Sequence, residues 1–270
     1  MPKTKKIFQA TSDSVHAGGD KLDNVTLDLP GHVTFDKQGR LAAVPRLTLQ
    51  ENWELLPVIT TVAATSAKYT LVTGTNAASA DITRATKGGI KVAQHGSASD
   101  STVLNFQTNT SGVVALTSKN QVAFKTQVSL GSLAGIIARF GLAVSASTTD
   151  PGAIAGAESV QFVFDYANVM TTGLTSAVYQ ANWLAVTKTT AAGATVFTDT
   201  GVGVTAGDDY ELVIKIGTDL KPKYYINGAL VYTGVTALTT STMVATLGIK
   251  SSVGTDYFEC RYVDISRVIG

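Results

Sequence analysis

The sequence predicts an all-β molecule, an antiparallel sandwich preceded by an extended N-terminal arm. Three observations carry this. β-branched residues dominate, and apolar residues at i, i+3, i+4 and i+7 occur only in short runs, so helix signals are poor almost everywhere. A dozen or so strand-like segments recur with turn chemistry between them, the pattern of a sandwich rather than an α/β fold. The 270 residues are 44% hydrophobic but only 15% charged, with room for one large β domain or two modest ones. That charged fraction stands well below the roughly 25% of ordinary soluble domains. Such a surface is either solvated by threonine and serine hydroxyls or covered by other protein chains.

In chain order, Met1-Pro2-Lys3-Thr4-Lys5-Lys6 makes a basic tip, where Lys3, Lys5 and Lys6 either solvate a tail or touch an acidic neighbouring subunit. Ile7 to Asp13 is too polar for the apolar core of a signal peptide, so synthesis in a cytoplasm is expected. Val25, Leu27 and Leu29 alternate with Thr26 and Asp28. Pro30-Gly31 offers a turn, and Val33 and Phe35 resume the alternation. Asp36 to Gly39 is a second turn, and Leu41 to Leu49 reads as extended chain broken by Pro45. Gln50 to Pro57, with Trp53, Leu55 and Leu56, reads as one helical turn or a linker. The boundary is placed there: residues 1–57 form the arm and 58–270 the sandwich. The arm has too few large apolar groups for a core of its own.

Strand-like segments then follow at Tyr69–Val72, Gly89–Val92, Val103–Phe106, Val122–Val128, Ile136–Val144, Val160–Phe164, Trp183–Val186, Thr195–Phe197, Tyr210–Ile216, Lys223–Ile226, Leu230–Tyr232, Thr246–Ile249 and Phe258–Val268. The most apolar stretch, Gly135 to Val144, contains Arg139 and falls far short of the roughly 20 residues that span a bilayer. Tyr210 to Ile216 alternates cleanly, with Tyr210, Leu212, Ile214 and Ile216 on one face and Glu211, Val213 and Lys215 on the other. After a turn at Gly217-Thr218-Asp219, Lys223 to Val231 reads as a hairpin whose Asn227-Gly228 suits the positive φ angles of a type I′ turn.

Leu212 to Ile216, a polar turn, then Tyr225-Ile226-Asn227-Gly228-Ala229-Leu230-Val231 resembles the paired-strand signature of concanavalin A-like sandwiches, the laminin-G and lectin/glucanase jelly rolls. Phe258 to Ile265 looks like the last strand of that fold. Gly88 to Val92, and Val122 to Leu130 before Gly141-Leu142, sit where tailed-bacteriophage virion proteins of this kind carry early strands. The likeness covers roughly residues 60 to 270 and speaks more of fold than of function.

No residue set identifies an enzyme. Glucanases of this fold carry two or three acidic residues close together on one strand, and Glu51, Glu54, Glu158, Glu211 and Glu259 have no such neighbours. Asp208-Asp209 reads as a turn before Tyr210. His16, His32 and His95 are far apart in polar loops, too dispersed for a triad or metal site. Gly131 to Gly135 and Gly201 to Gly207 miss the nucleophile-elbow and dinucleotide patterns and read as loops. Asp150, Asp165, Asn168 and Asp256 are the candidate oxygens for a lectin-type calcium, though their spacing does not require one. The lone Cys260 excludes an intrachain disulfide and reads as a small buried residue sharing a face with Phe258 and Tyr262. Trp53, Trp183, Tyr224, Tyr225 and Tyr232 read as core and cross-strand pairs, or as a sugar platform.

No catalytic, cofactor-binding or metal residue is therefore assigned, and no cofactor. A net charge of +1 gives no broad basic field for nucleic acid. The resemblance implies a bacteriophage virion protein made in the host cytoplasm: a capsid decoration or cement protein, or a head fibre. Its arm would anchor it to the major capsid protein, other virion proteins or sister copies, with a trimer as the expected homo-oligomer. The alternative is a carbohydrate-binding or receptor-binding fibre domain that docks glycans through loop aromatics, Trp183 foremost.

Overall fold

The structure, a computed structural model, describes residues 33–35, 41–43, 46–51, 69–73, 82–94, 101–106, 114–115, 121–144, 158–166, 180–189, 193–239, 242–252 and 256–268. Among them every regular element is a strand. In chain order these are β1 (Val33–Phe35), β2 (Leu41–Ala43), β3 (Arg46–Glu51), β4 (Tyr69–Thr73), β5 (Ile82–Arg84), β6 (Ile90–Ala93), β7 (Ser101–Phe106), β8 (Val114–Ala115) and β9 (Gln121–Leu130). There follow β10 (Ile136–Ala143), β11 (Ser159–Asp165), β12 (Asn182–Lys188), β13 (Val196–Gly203), β14 (Tyr210–Ile216), β15 (Pro222–Ile226), β16 (Ala229–Thr233), β17 (Thr242–Ser251) and β18 (Tyr257–Val268).

The chain divides into two compact units, residues 1–47 with 268–270, and residues 48–267. The first holds the short antiparallel ladder of β1 and β2, in register Val33 with Ala43. The second is a sandwich of two sheets. One runs β13-β12-β11-β10-β17-β7-β4, with β8 beside β17. The other runs β16-β15-β14-β9-β18-β6-β5, with β3 beside β18.

Side-chain alternation assembles the sandwich. Leu104, Phe106, Phe140, Leu142, Phe162, Phe164, Trp183 and Leu247 from the first sheet meet Phe124, Leu212, Ile214, Tyr224, Phe258 and Cys260 from the second in a single buried core. Tyr224 crosses between the sheets, its hydroxyl 2.8 Å from Thr187 Oγ1 and 2.7 Å from the Val186 carbonyl. Burial drives that phenol out of the usual tyrosine range.

The β14–β15–β16 reading holds in detail. Tyr210, Leu212, Ile214 and Ile216 enter the core, and the turn at Asn227-Gly228 has φ of 50° and 82°, the left-handed pair that a type I′ turn needs. Three expectations change. Gly201-Val202-Gly203 is not loop but the end of β13, where Gly201 takes a φ of 71° and the ladder with β12 shifts register. Gln50 and Glu51 close β3; the rest of the stretch to Pro57 lies outside the described residues. Tyr262 does not share a face with Phe258 and Cys260. Both Cys260 and Val263 are buried, three residues apart, so the alternation slips once between them and turns Tyr262 outward.

Candidate functional site

The first sheet has a second face, turned away from the core, and it too is buried. Alternation puts Asn105 of β7, Thr246 of β17, Gly141 of β10 and Gln161 of β11 on it. Strand register sets them side by side: Asn105 opposite Thr246, Thr246 opposite Gly141, Gly141 opposite Gln161. Four strands at about 4.8 Å spacing make a row of about 14 Å. In this row Asn105 Nδ2 and Oδ1, Thr246 Oγ1 and Gln161 Oε1 are buried without hydrogen-bond partners, as is Ser159 Oγ two residues along β11 on the same face. Gly141 has no side chain because none fits: a Cβ there would collide with the Val160 carbonyl and stand 2.7 Å from Gln161 Cα.

Beyond Gln161 the face becomes apolar, with Val163, Leu184 and Val186 in a small cluster against Phe197. Arg139, also buried, lies opposite Val163. At the margin Asn182 Nδ2 donates to Asp199 Oδ1 at 2.9 Å. The face therefore holds buried amide and hydroxyl groups beside aliphatic ones. Each unmet polar group costs roughly 1–3 kcal/mol unless water or a ligand satisfies it.

The acidic residues are scattered. Asp165 is the one carboxylate among the described residues at the outward positions of β7, β10, β11, β12 and β17, whereas glycoside hydrolysis uses a facing pair about 5–10 Å apart. Glu158 accepts from the Thr239 amide and, at 2.7 Å, from the Thr239 hydroxyl. Glu259 meets Arg261 at 2.8 Å. The turn expected at Asp208-Asp209 falls two residues earlier, at Ala206-Gly207, closed by the Asp208 amide donating to the Thr205 carbonyl at 3.3 Å, and Asp209 lies 3.1 Å from Arg261. Asp256 is held by the hydroxyls of Ser132 and Ser251.

Glu211 lies on the outward face of the other sheet, 2.7 Å from Lys125 and accepting from the Tyr262 hydroxyl at 3.0 Å. The bond to Lys125 holds the carboxyl below its ordinary range. Burial, then Glu211, pushes the Tyr262 phenol up to about 12.

Among the described residues no three His, Cys, Asp or Glu gather as metal ligands. Of the calcium candidates, Asp150 and Asn168 lie outside the described residues, as do His16, His32, His95, Glu54, Trp53 and the lysines of the basic tip. Trp183 and Tyr224 are fully buried in the core and present no platform to a sugar. Trp183 points inward in phase with Ala185, the partner of Phe162, and Tyr224 in phase with its own partner Ile214. Gly131 to Gly135 is the expected loop between β9 and β10.

The sequence reading did not find Asn105, Ser159, Gln161 and Thr246. Its available signal was a polar residue at every second place in otherwise apolar strands, as in Val160-Gln161-Phe162. Which strands bring those places together is not local information.

No protein-family model matches the chain, and no curated protein matches it in sequence. Solved structures do match in fold. Bacillus licheniformis β-glucanase superimposes with a TM-score of 0.53 at 8% identity, over 81% of this chain and 97% of that one. LamAcat from Zobellia galactanivorans gives 0.52 at 11%, over 80% and 96%. Lectin II from Ulex europaeus gives 0.50 at 10%, over 83% and 99%. The chain has the concanavalin A-like jelly-roll fold. At such identities the likeness speaks of the fold alone, and one scaffold carries many functions.

Proposed function

We propose that this jelly roll is a non-catalytic binding module that holds a hydroxyl-rich ligand, a glycan, on the outward face of the β13-to-β4 sheet. The observation that carries the reading is the row of buried, partnerless amide and hydroxyl groups at Asn105, Ser159, Gln161 and Thr246. Amides and hydroxyls both donate and accept, as sugar hydroxyls do. The neighbouring aliphatic patch of Val163, Leu184 and Val186 suits the apolar face of a pyranose ring. Since the atoms are buried, ligand hydroxyls reach them in an enclosed complex, replacing ordered water. The single carboxylate on the central strands supports binding without hydrolysis.

A glycan array probed with the intact protein tests this. Specific binding is expected, weakened at least tenfold in Gln161→Ala and Asn105→Ala, with the far-UV circular dichroism of both variants unchanged. No binding to any glycan, or binding indifferent to both variants, overturns it.

A second reading, a structural bacteriophage virion component, rests on a different observation: residues 224–249 contain no charged side chain in a chain already low in charge. The exposed members of this run, mostly among residues 227–239, suit protein-covered positions in a shell. Removing residues 1–50 should then abolish incorporation into particles while the sandwich stays folded. Undiminished incorporation removes the anchoring role of the arm.

A further inference from the structure

The margin where β13 and β16 end their sheets carries the most exposed apolar surface of the described residues. Leu230 is 55% exposed, Val235 76% and Val196 47%. The fourth large exposed apolar residue, Tyr166, belongs to the end of β11. Among the described strands β16 pairs only with β15, so its outer backbone groups form no ladder. Protein edges are normally blunted by charge, proline, brevity or a bulge. The β5 edge carries the exposed Arg84, and β13 carries Asp199 and the kink at Gly201. The β16 edge, Ala229-Leu230-Val231-Tyr232-Thr233, has neither charge nor proline. It is short, and its ladder with β15 has one extra residue at Val231.

We infer that the chain pairs with a second copy of itself through β16, the two strands running antiparallel across a two-fold axis so that the sheet continues from one copy into the next. A second copy is the occupant that the charge pattern favours. Across a two-fold axis a surface meets its own image, so any charge near the axis faces a like charge. Here the edge lies within an uncharged run of 26 residues, 224–249, and the net charge of +1 adds little repulsion at a distance. Leu230 and Val235 leave water in the same contact. Five residues of ladder with one bulge make a modest interface, so association is concentration-dependent. The inference is independent of the glycan reading.

Sedimentation of the full chain from about 1 to about 100 μM, around the micromolar affinities of modest interfaces, reads the result. A dimer that falls to monomer in the Leu230→Lys/Val235→Lys double variant, with an unchanged melting temperature, supports the inference. A wild type that stays monomeric, or an oligomer whose mass the double variant leaves unchanged, overturns it. Should the double variant unfold, Val231→Cys decides, because the central residue of a five-residue antiparallel ladder faces its own copy across the axis. The native thiol Cys260 is buried, so mild oxidation should join two copies through residue 231, and a chain that stays uncrosslinked overturns the pairing.

Discussion

Trp183 stands edge-on to Phe140, Phe164 and Tyr210, with ring centroids at 5.9, 6.0 and 5.7 Å. Edge-to-face contacts of this kind add to the large area each ring buries. Trp183→Ala should therefore cost about 3–5 kcal/mol, seen as a lower urea midpoint. Its effect is on stability; Gln161→Ala is the substitution that addresses the proposed glycan face. The Lys125–Glu211–Tyr262 group predicts a pH response. The folded pKa of Glu211 is lowered, so its contribution is present above the ordinary carboxylate value and lost as pH falls through the folded one. The Tyr262 pKa is raised from 10.0 to about 12, so its contribution is complete below pH 10 and disappears as pH climbs to about 12. Lys125, also raised, loses its own share in alkali. Melting temperature followed from pH 9 to 12 should fall less steeply in Tyr262→Phe than in the wild type.

At the scale of elements, the turn between β5 and β6 gives a matched pair of substitutions. Gly88 and Gly89 both have positive φ, 89° and 84°. A Cβ on Gly88 meets nothing within 4 Å, whereas one on Gly89 collides with the Cys260 carbonyl and stands 2.7 Å from Arg261 Cα. Gly88→Ala should cost about 1 kcal/mol, from backbone strain alone. Gly89→Ala should cost about 1–3 kcal/mol more, because the obstacle is the backbone of β18. Equilibrium unfolding of the two variants checks the difference. Nearby, Arg261 Nη1 donates to the Gly88 carbonyl at 2.9 Å, tying this turn to β18. The β14–β15–β16 meander was readable because its signals are local: strict alternation, then Asn227-Gly228. The three-residue β5 and two-residue β8 went unseen because they are too short to show a period. The slip after Cys260 was hidden because a bulge breaks the alternation that would announce it. The buried polar row was hidden because register across four strands decides it.

The whole sandwich shares one core between its sheets, so neither sheet can bury its core-facing side without the other. Far-UV and near-UV circular dichroism should lose the folded signal of residues 48–267 in coincident transitions. Separated midpoints would mean that the sheets melt independently. The fold class was legible from composition and period, since threonine- and valine-rich segments separated by turns admit few alternatives to a sandwich. The buried polar row was not, since Asn105 and Gln161 are ordinary strand residues until topology sets them in line on one face, with Thr246 and Gly141 between them.

That topology also has a bearing on synthesis. β18 lies between β9 and β6 in the middle of its sheet. A nascent chain translated only as far as residue 250 holds two half-sheets with no strand to join them. Each half would carry raw hydrogen-bonding edges until residues 257–268 leave the ribosome. Closure of the sandwich is thus a late event, and the waiting halves are the species a chaperone would have to protect.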